Sequence, residues 1–432
     1  MDSRRIIRTY LLIVLLFNLS ASLIWGINTL FLLDAGLNIF EVFIANAVFT
    51  AGMVLCEVPT GVVADTRGRR LSFLFSTAVL LVGTLAYVGV AAIEGGVVLF
   101  SLAGLILGLG YTFYSGAVEA WLVDALRGSG YEEELDRVFA RGHMVFGASM
   151  LVGTVGGGLL GTLDLSLPYV VRSGLLALAF LVGWRAMHDI GFAPRALRWR
   201  GVSAEMRKVA SEGLTYGWNR PSVRVLMLVS FVGSGFFSWA WYAWQPYFLE
   251  LWGSPAVWLS GLIAALFALS TILGNTLVGR VVRPGTRRTT ILIAAAAIST
   301  VAVVGVGAIR EFWISVPLFL VTAVLFGLTG PIRQSYLHSV IPSAQRATIV
   351  SLDSLVGGVG SVGGQAGLGY LSQVRSIPDG FVLGGMFTIL AVPLYARLRA
   401  LGEKADRVTA KEEVAPADVA GVPVMEVAEA GE

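Results

Sequence analysis

The sequence predicts an all-α membrane protein of twelve transmembrane helices arranged as two six-helix bundles. Three observations carry this. Hydrophobic residues make up 56% of the 432 and mean hydropathy is +0.77, whereas soluble chains sit nearer about 45–50% apolar. The apolar residues come in runs of about 20, the length that crosses a ~30 Å hydrocarbon core at ~1.5 Å per residue. The runs do not alternate apolar with polar residues, which argues against a β-barrel.

The spans fall at 9–33, 40–64, 71–93, 97–124, 138–162 and 167–188, then at 222–250, 256–279, 289–308, 312–337, 347–373 and 380–399. The first has no small-residue cleavage site at its end and reads as an uncleaved span. With the N-terminus inside, all but Arg172, Arg310 and Arg375 of the 31 Lys and Arg lie on the cytoplasmic side. The mirror orientation would reverse the positive-inside bias. Outer loops are a few residues each. One long inner connection carries the basic amphipathic stretch "AEMRKVASEG", expected to lie along the membrane surface. The expected organisation is therefore a bundle over 1–188, a cytoplasmic linker over 189–221, a second bundle over 222–401 and a disordered cytoplasmic tail over 402–432.

Composition also excludes several classes. A lone Cys56 leaves no disulfide, and three His leave little room for a metal cluster. No Ser/His/Asp set and no nucleotide-binding loop stands in the chain, so neither an enzyme nor a cofactor is expected. The sequence pI near 9.0 follows from Arg on one side of a bilayer and does not imply nucleic acid. A monomer in a bacterial plasma (inner) membrane, both termini cytoplasmic, is the expected setting. The bacterial source is read from Arg outnumbering Lys 28 to 3.

A charge pattern occurs twice. "GVVADTRGRR" (61–70) follows span 2 and "GRVVRPGTRR" (279–288) follows span 8, 218 residues later. "GTVGG" (153–157) in span 5 is echoed by "GSVGG" (360–364) in span 11. "GLGYTFYSG" (108–116) in span 4 has a weaker echo in "GLTGPIRQS" (327–335) in span 10. The chain is thus a six-plus-six parallel repeat.

On these features the chain resembles the major facilitator superfamily, in its drug-exporter-like branch. That family's loop between spans 2 and 3 is matched by Gly61, Asp65, Gly68, Arg69 and Arg70, with Thr66 where a basic residue is usual. Gly68 supplies freedom for a tight turn, Gly61 allows close helix approach, and Asp65 can meet an Arg or a helix N-terminus. The resemblance implies that Asp65 latches the outward-facing state against span 11. The second copy has Arg283 in place of the acid, so the latch is asymmetric. The Gly-rich strips of spans 5 and 11 imply close helix packing and a sliding surface. The usual Arg in the first half of span 4 is replaced by Gly104, which puts the branch's coupling apparatus in doubt.

An ionisable side chain at mid-bilayer costs roughly 2.5–3.5 kcal/mol on insertion scales, so charges within spans mark function or pairing. They are Glu57 in span 2, Glu119 and Asp124 closing span 4, Arg141 opening span 5, Arg333 in span 10 and Asp353 in span 11. Asp124 is expected to pair with Arg141, and Arg333 to snorkel, with or without Asp353. Glu57 shares its span with no basic residue, and Asn275 takes its place in span 8. It is the leading candidate to carry a proton, ahead of Glu119 and Asp353.

The resemblance places the substrate at mid-membrane on spans 1, 4, 7 and 10. The candidates there are Trp25 and Asn28, Tyr111 and Tyr114, Trp241, Trp244 and Gln245, and Gln334. Trp241, Trp244 and Gln245 lie three and four apart and share a helix face. Pro246 is expected to break span 7 near its outer third. An aromatic site with few amides suits amphipathic or cationic organic molecules. The function expected is alternating access, with proton-coupled export of small amphipathic compounds. A dedicated permease for one metabolite is the alternative within transport, and a receptor or scaffold that has lost transport is the alternative outside it.

Overall fold

The computed structural model describes residues 2–194, 211, 214–342 and 345–408. The stretch "AEMRKVASEG" lies, but for Ser211, outside the described residues. What is described is almost wholly helical, as hydrocarbon demands, because each helix satisfies its own backbone groups. Eleven helices among the described residues are long and apolar enough to cross a membrane. Span 11, Arg346–Val374, has 29 residues, but its Gly, Ser and Gln content leaves it less apolar.

Spans 2, 3, 5 and 6 are single helices: Ile39–Arg67, Arg69–Ala92, Asp136–Leu163 and Leu167–Ala186. Span 2 starts on a capping box: the Asn38 side chain accepts from the Glu41 N–H at 3.0 Å, and the Glu41 carboxylate accepts from the Asn38 N–H at 2.9 Å. That pairing satisfies two orphan donors of the first turn. Span 1 is Ser3–Trp25 continued by Asn28–Asp34. Span 4 is Gly96–Tyr114 followed by Ala117–Gly128. Its break falls at Gly116, whose left-handed backbone (φ 68°) favours glycine.

In the second half, spans 7 to 10 are Pro221–Trp252, Val257–Val281, Arg288–Ile309 and Phe312–Val340. Span 12 is Ile377–Thr388 continued by Ala391–Ala400. Pro246 does not break span 7. The helix runs through it, held by buried neighbours on either side: Gln245, Tyr247 and Phe248 are each 0–1% exposed. One missing hydrogen bond is tolerated where packing fixes the axis.

The chain divides into two compact units, Met1–Glu205 with Pro255–Ala265, and Met206–Ser254 with Leu266–Glu432. The first turns of span 8 therefore group with the first unit, where Gly261 lies against Gly158. The Gly-rich strips do what small residues do in lipid: they let backbones touch. In the first unit a Cβ at Gly157 would collide with the Leu23 backbone of span 1. In the second, a Cβ at Gly364 would collide with Gly235 of span 7, and one at Gly360 with Phe231. Span 5 thus packs on span 1 as span 11 packs on span 7.

Residues 402–408, assigned from composition to the disordered tail, are ordered. Lys404–Asp406 is a short 3-10 helix. Beyond it Val408 exchanges backbone hydrogen bonds with the loop between spans 8 and 9: its N–H donates to the Thr286 carbonyl at 3.1 Å and its carbonyl accepts from the Gly285 N–H at 2.9 Å. Local composition had no means of showing a partner supplied by another loop.

Candidate functional site

The 61–70 loop is built by charges from three segments of the first unit. Gly68 ends span 2 with φ 108°, a backbone that favours glycine. The Asp189 carboxylate occupies the place a Cβ would take. That carboxylate accepts from the Arg70 N–H at 2.9 Å, so it caps the first turn of span 3. Arg70 reaches the Trp184 carbonyl with Nη2 at 2.7 Å. Asp65 pairs with Arg69 one turn away, at 2.6 Å. Asp124, at the end of span 4, lies 3.9 Å from Arg69 Nε. The expected Asp124–Arg141 pair does not form: Arg141 is exposed, and Arg69, arriving on the adjoining helix start, takes its place.

The second unit repeats this arrangement with different residues. Asp406, from the segment after span 12, accepts from the Thr289 N–H at 2.9 Å and so caps span 9. Arg288, the counterpart of Arg70, reaches the Ala405 carbonyl with Nη1 at 2.6 Å. Glu403 accepts from the Ser222 hydroxyl. Asp189 and Asp406 thus play one role in the two units, at a helix N-terminus that favours a negative charge. Sequence reading missed both, because their distance from the partner helix start is more than 100 residues. The available signal was an acid a few residues beyond the last span of each half.

Glu57 is half-buried in span 2, with the Ser115 side chain, at the break in span 4, within hydrogen-bonding reach. Glu119, just past that break, lies near Tyr10 and Tyr114. Tyr114 stacks flat on Phe17 at 3.5 Å between ring centres, and Tyr111 meets Phe17 and Phe49 edge-on. The break in span 4 therefore separates an aromatic wall from an acidic segment. Trp25 is half-buried. Asn28 is engaged at both ends, donating to Asn46 Oδ1 at 3.1 Å and accepting from the Tyr169 hydroxyl at 3.0 Å.

Arg172, which the positive-inside count placed at the outer surface, is 1% exposed. It stands near the start of span 6 and turns into the first bundle. Its Nε donates to Thr84 Oγ1 at 3.0 Å, and its Nη1 to the Ser20 carbonyl at 3.3 Å and the Tyr111 hydroxyl at 3.2 Å.

In the second unit Arg333 does not snorkel alone. Its Nη2 donates to both oxygens of Asp353, at 2.6 and 2.8 Å, and to the Leu226 carbonyl at 3.1 Å. This joins spans 10, 11 and 7 and cancels the Arg333 charge. Gln334, beside it, is exposed. Trp241, Trp244 and Gln245 separate in role. Trp244 is 2% and Gln245 0% exposed, with Trp244 packed on Phe248 and Phe319. Trp241 is half-buried and lines a cavity of about 190 Å3. Phe237, Phe267 and Phe326 share that wall; the polar groups are few, among them Ser299, Thr322 and Thr329. Among the described residues no group of three or more His, Cys, Asp or Glu is placed to hold a metal.

Comparison with known proteins fits this architecture. A relative from Bacillus subtilis (strain 168), the uncharacterized MFS-type transporter YxaM, is 21% identical over 376 residues, spanning 85% of this chain and 89% of the relative. Among solved structures, the nucleoside transporter NupG superimposes with a TM-score of 0.71 at 13% identity, covering 93% of this chain and all of NupG. The POT family transporter PepTSo also gives 0.71, at 16% identity, over 93% and 98% of the two chains. A D-xylose–proton symporter gives 0.66 at 13% identity, over 91% and 97%. At these identities the structures share the fold. The model of the Major Facilitator Superfamily matches residues 10–365; with its paired six-helix repeats and doubled loop motif, this chain belongs to that superfamily of membrane transporters.

Proposed function

We propose that this transporter works by alternating access and carries small amphipathic organic compounds, exporting them across a bacterial plasma membrane in exchange for protons. The observation that carries the reading is the cavity of the second unit, whose wall is aromatic around Trp241 and offers hydroxyls as its polar groups. Such a wall holds apolar bodies by contact and ring faces. The solved structures of this fold include a nucleoside transporter, a POT family transporter and a D-xylose–proton symporter, so the fold leaves the substrate open and the choice rests on the lining residues. Tyr111, Tyr114 and Trp25 are the matching candidates in the first unit.

Glu57 is the coupling carboxyl in this reading. It stands within a span, and its hydrogen-bonding neighbour is the neutral Ser115. That environment lets a proton come and go without breaking an ion pair. The loop of Gly61, Asp65, Gly68, Arg69 and Arg70 is the state latch, with Arg69 holding the Asp65 carboxylate in place. A dedicated permease for one metabolite is the second reading, favoured by Gly104 at the span 4 position where exporters carry Arg.

The test is retention of fluorescent amphipathic dyes of both charge signs in cells making the protein, with and without a protonophore. Retention below that of control cells is expected, with the difference lost on adding the protonophore and in Glu57→Gln. Retention equal to control cells for every dye would overturn the export reading and leave the dedicated permease.

A further inference from the structure

We propose that Arg172 and Tyr111 form an anion-binding site inside the first unit, and that the compounds carried are amphipathic organic acids held there by their carboxylate. The inference rests on the amphipathic-transport reading and adds a charge to its substrate.

Arg172 is a buried charge without a counter-ion among the described residues. Among the described residues every acceptor of Arg172 is neutral: a threonine hydroxyl, a serine carbonyl and a tyrosine hydroxyl. Among the described residues no carboxylate lies within ion-pairing distance of it. Three other arginines within or beside the spans each have a carboxylate close by. Arg333 is paired with Asp353, Arg69 with Asp65, and Arg310 lies 3.8 Å from Asp379. A guanidinium at 1% exposure keeps its charge, and a buried charge is costly unless it meets a counter-ion. The fold pays for Arg172 without giving it one.

The donors around it point the same way. The Tyr111 hydroxyl accepts from Arg172, and among the described residues no acceptor receives its own proton. It is therefore free to donate, and an oxygen that accepts from a cation is a stronger donor. The Arg172 Nη2, which donates to none of these groups, and the phenol together offer the donors that a carboxylate takes. Access is given by the same tyrosine. Thr84, Ser20 and Arg172 are sealed at 0–1% exposure, whereas Tyr111 is half-buried. Around Tyr111 the rings of Phe17 and Phe49 stand edge-on at 6.0 and 5.8 Å. An apolar body on those rings would present its carboxylate to the Tyr111 hydroxyl and the guanidinium behind it.

The experiment measures binding to the full-length protein in nanodiscs of zwitterionic phosphatidylcholine, which removes anionic headgroups as competitors. Three probes share one apolar body: 2-naphthoate, 2-naphthamide and 2-naphthylmethylammonium. Naphthoate is expected to bind about tenfold more tightly than the amide, the scale of a charge-assisted contact. Arg172→Gln should bring naphthoate to the amide's level and leave the amide within about twofold. Arg172→Lys should keep part of the preference, and Tyr111→Phe should weaken naphthoate alone. Equal affinity of naphthoate and amide for the unaltered protein overturns the site. So does a preference that survives in folded Arg172→Gln. Should Arg172→Gln not fold, an undiminished preference in Tyr111→Phe overturns it. Binding of the amide or the ammonium in place of naphthoate removes the anion site and leaves amphipathic transport standing; no binding of any probe removes both.

Discussion

Arg333 and Asp353 show how a single pair governs a charged position within a bundle. Both oxygens of Asp353 face one guanidinium nitrogen, and Asp353 is 7% exposed. Removing one partner leaves the other charge buried, which costs about 3 kcal/mol or more. Asp353→Asn should therefore lower the melting temperature of the purified protein by several degrees. Replacing both residues at once, Arg333→Met with Asp353→Leu, should cost less than Asp353→Asn alone, because no charge is stranded. A double variant as unstable as the single one would show that the pair contributes more than its own neutralisation. Arg172 lacks such a carboxylate, and that contrast separates a structural arginine from one that awaits a ligand.

Packing of whole helices rests on where glycines face backbone. Gly157 and Gly364 face a neighbouring backbone, while a Cβ at Gly363 meets nothing within 4 Å. Gly157→Leu and Gly364→Leu should each abolish the folded, monodisperse protein in size-exclusion chromatography, and Gly363→Ala should leave it unchanged. The two caps make a second prediction at this scale. Asp189 and Asp406 each accept from the first turn of the third helix of a repeat. Losing such a cap costs about 1 kcal/mol. Asp189→Ala and Asp406→Ala should each lower the melting temperature by a few degrees, and deleting residues 402–432 should do at least as much as Asp406→Ala. If that deletion is neutral, the segment after span 12 is ornament rather than part of the bundle.

For the molecule as a whole, orientation is the property that the charge distribution implies most directly. Only three of its 31 Lys and Arg fall on the expected outer side, and the structure now turns Arg172 into a bundle. With Cys56 replaced by alanine, one cysteine placed at Gly402 should react with a membrane-impermeant maleimide in inverted vesicles and not in intact cells. One placed at Gly253, between spans 7 and 8, should show the reverse. Labelling of Gly402 in intact cells would refute the cytoplasmic C-terminus.

The sequence by itself determined the number and position of the spans, the two-fold repeat and its family. These follow from hydrophobic run length and from residues close together in the chain, where local physics leaves one answer. It also marked Arg333 with Asp353, and the Gly-rich strips as packing surfaces. What only the tertiary structure decided depends on partners far apart in sequence. Arg69 takes Asp124 in place of Arg141 because two helix ends meet there. Asp189 and Asp406 become caps because chain ends fold back on helix starts. Pro246 leaves span 7 unbroken because buried neighbours hold its axis. Arg172 becomes a buried charge because span 6 turns that face inward. Whether a polar residue meets lipid, water or a partner is a property of the neighbouring helix, and no run of residues around it encodes that neighbour.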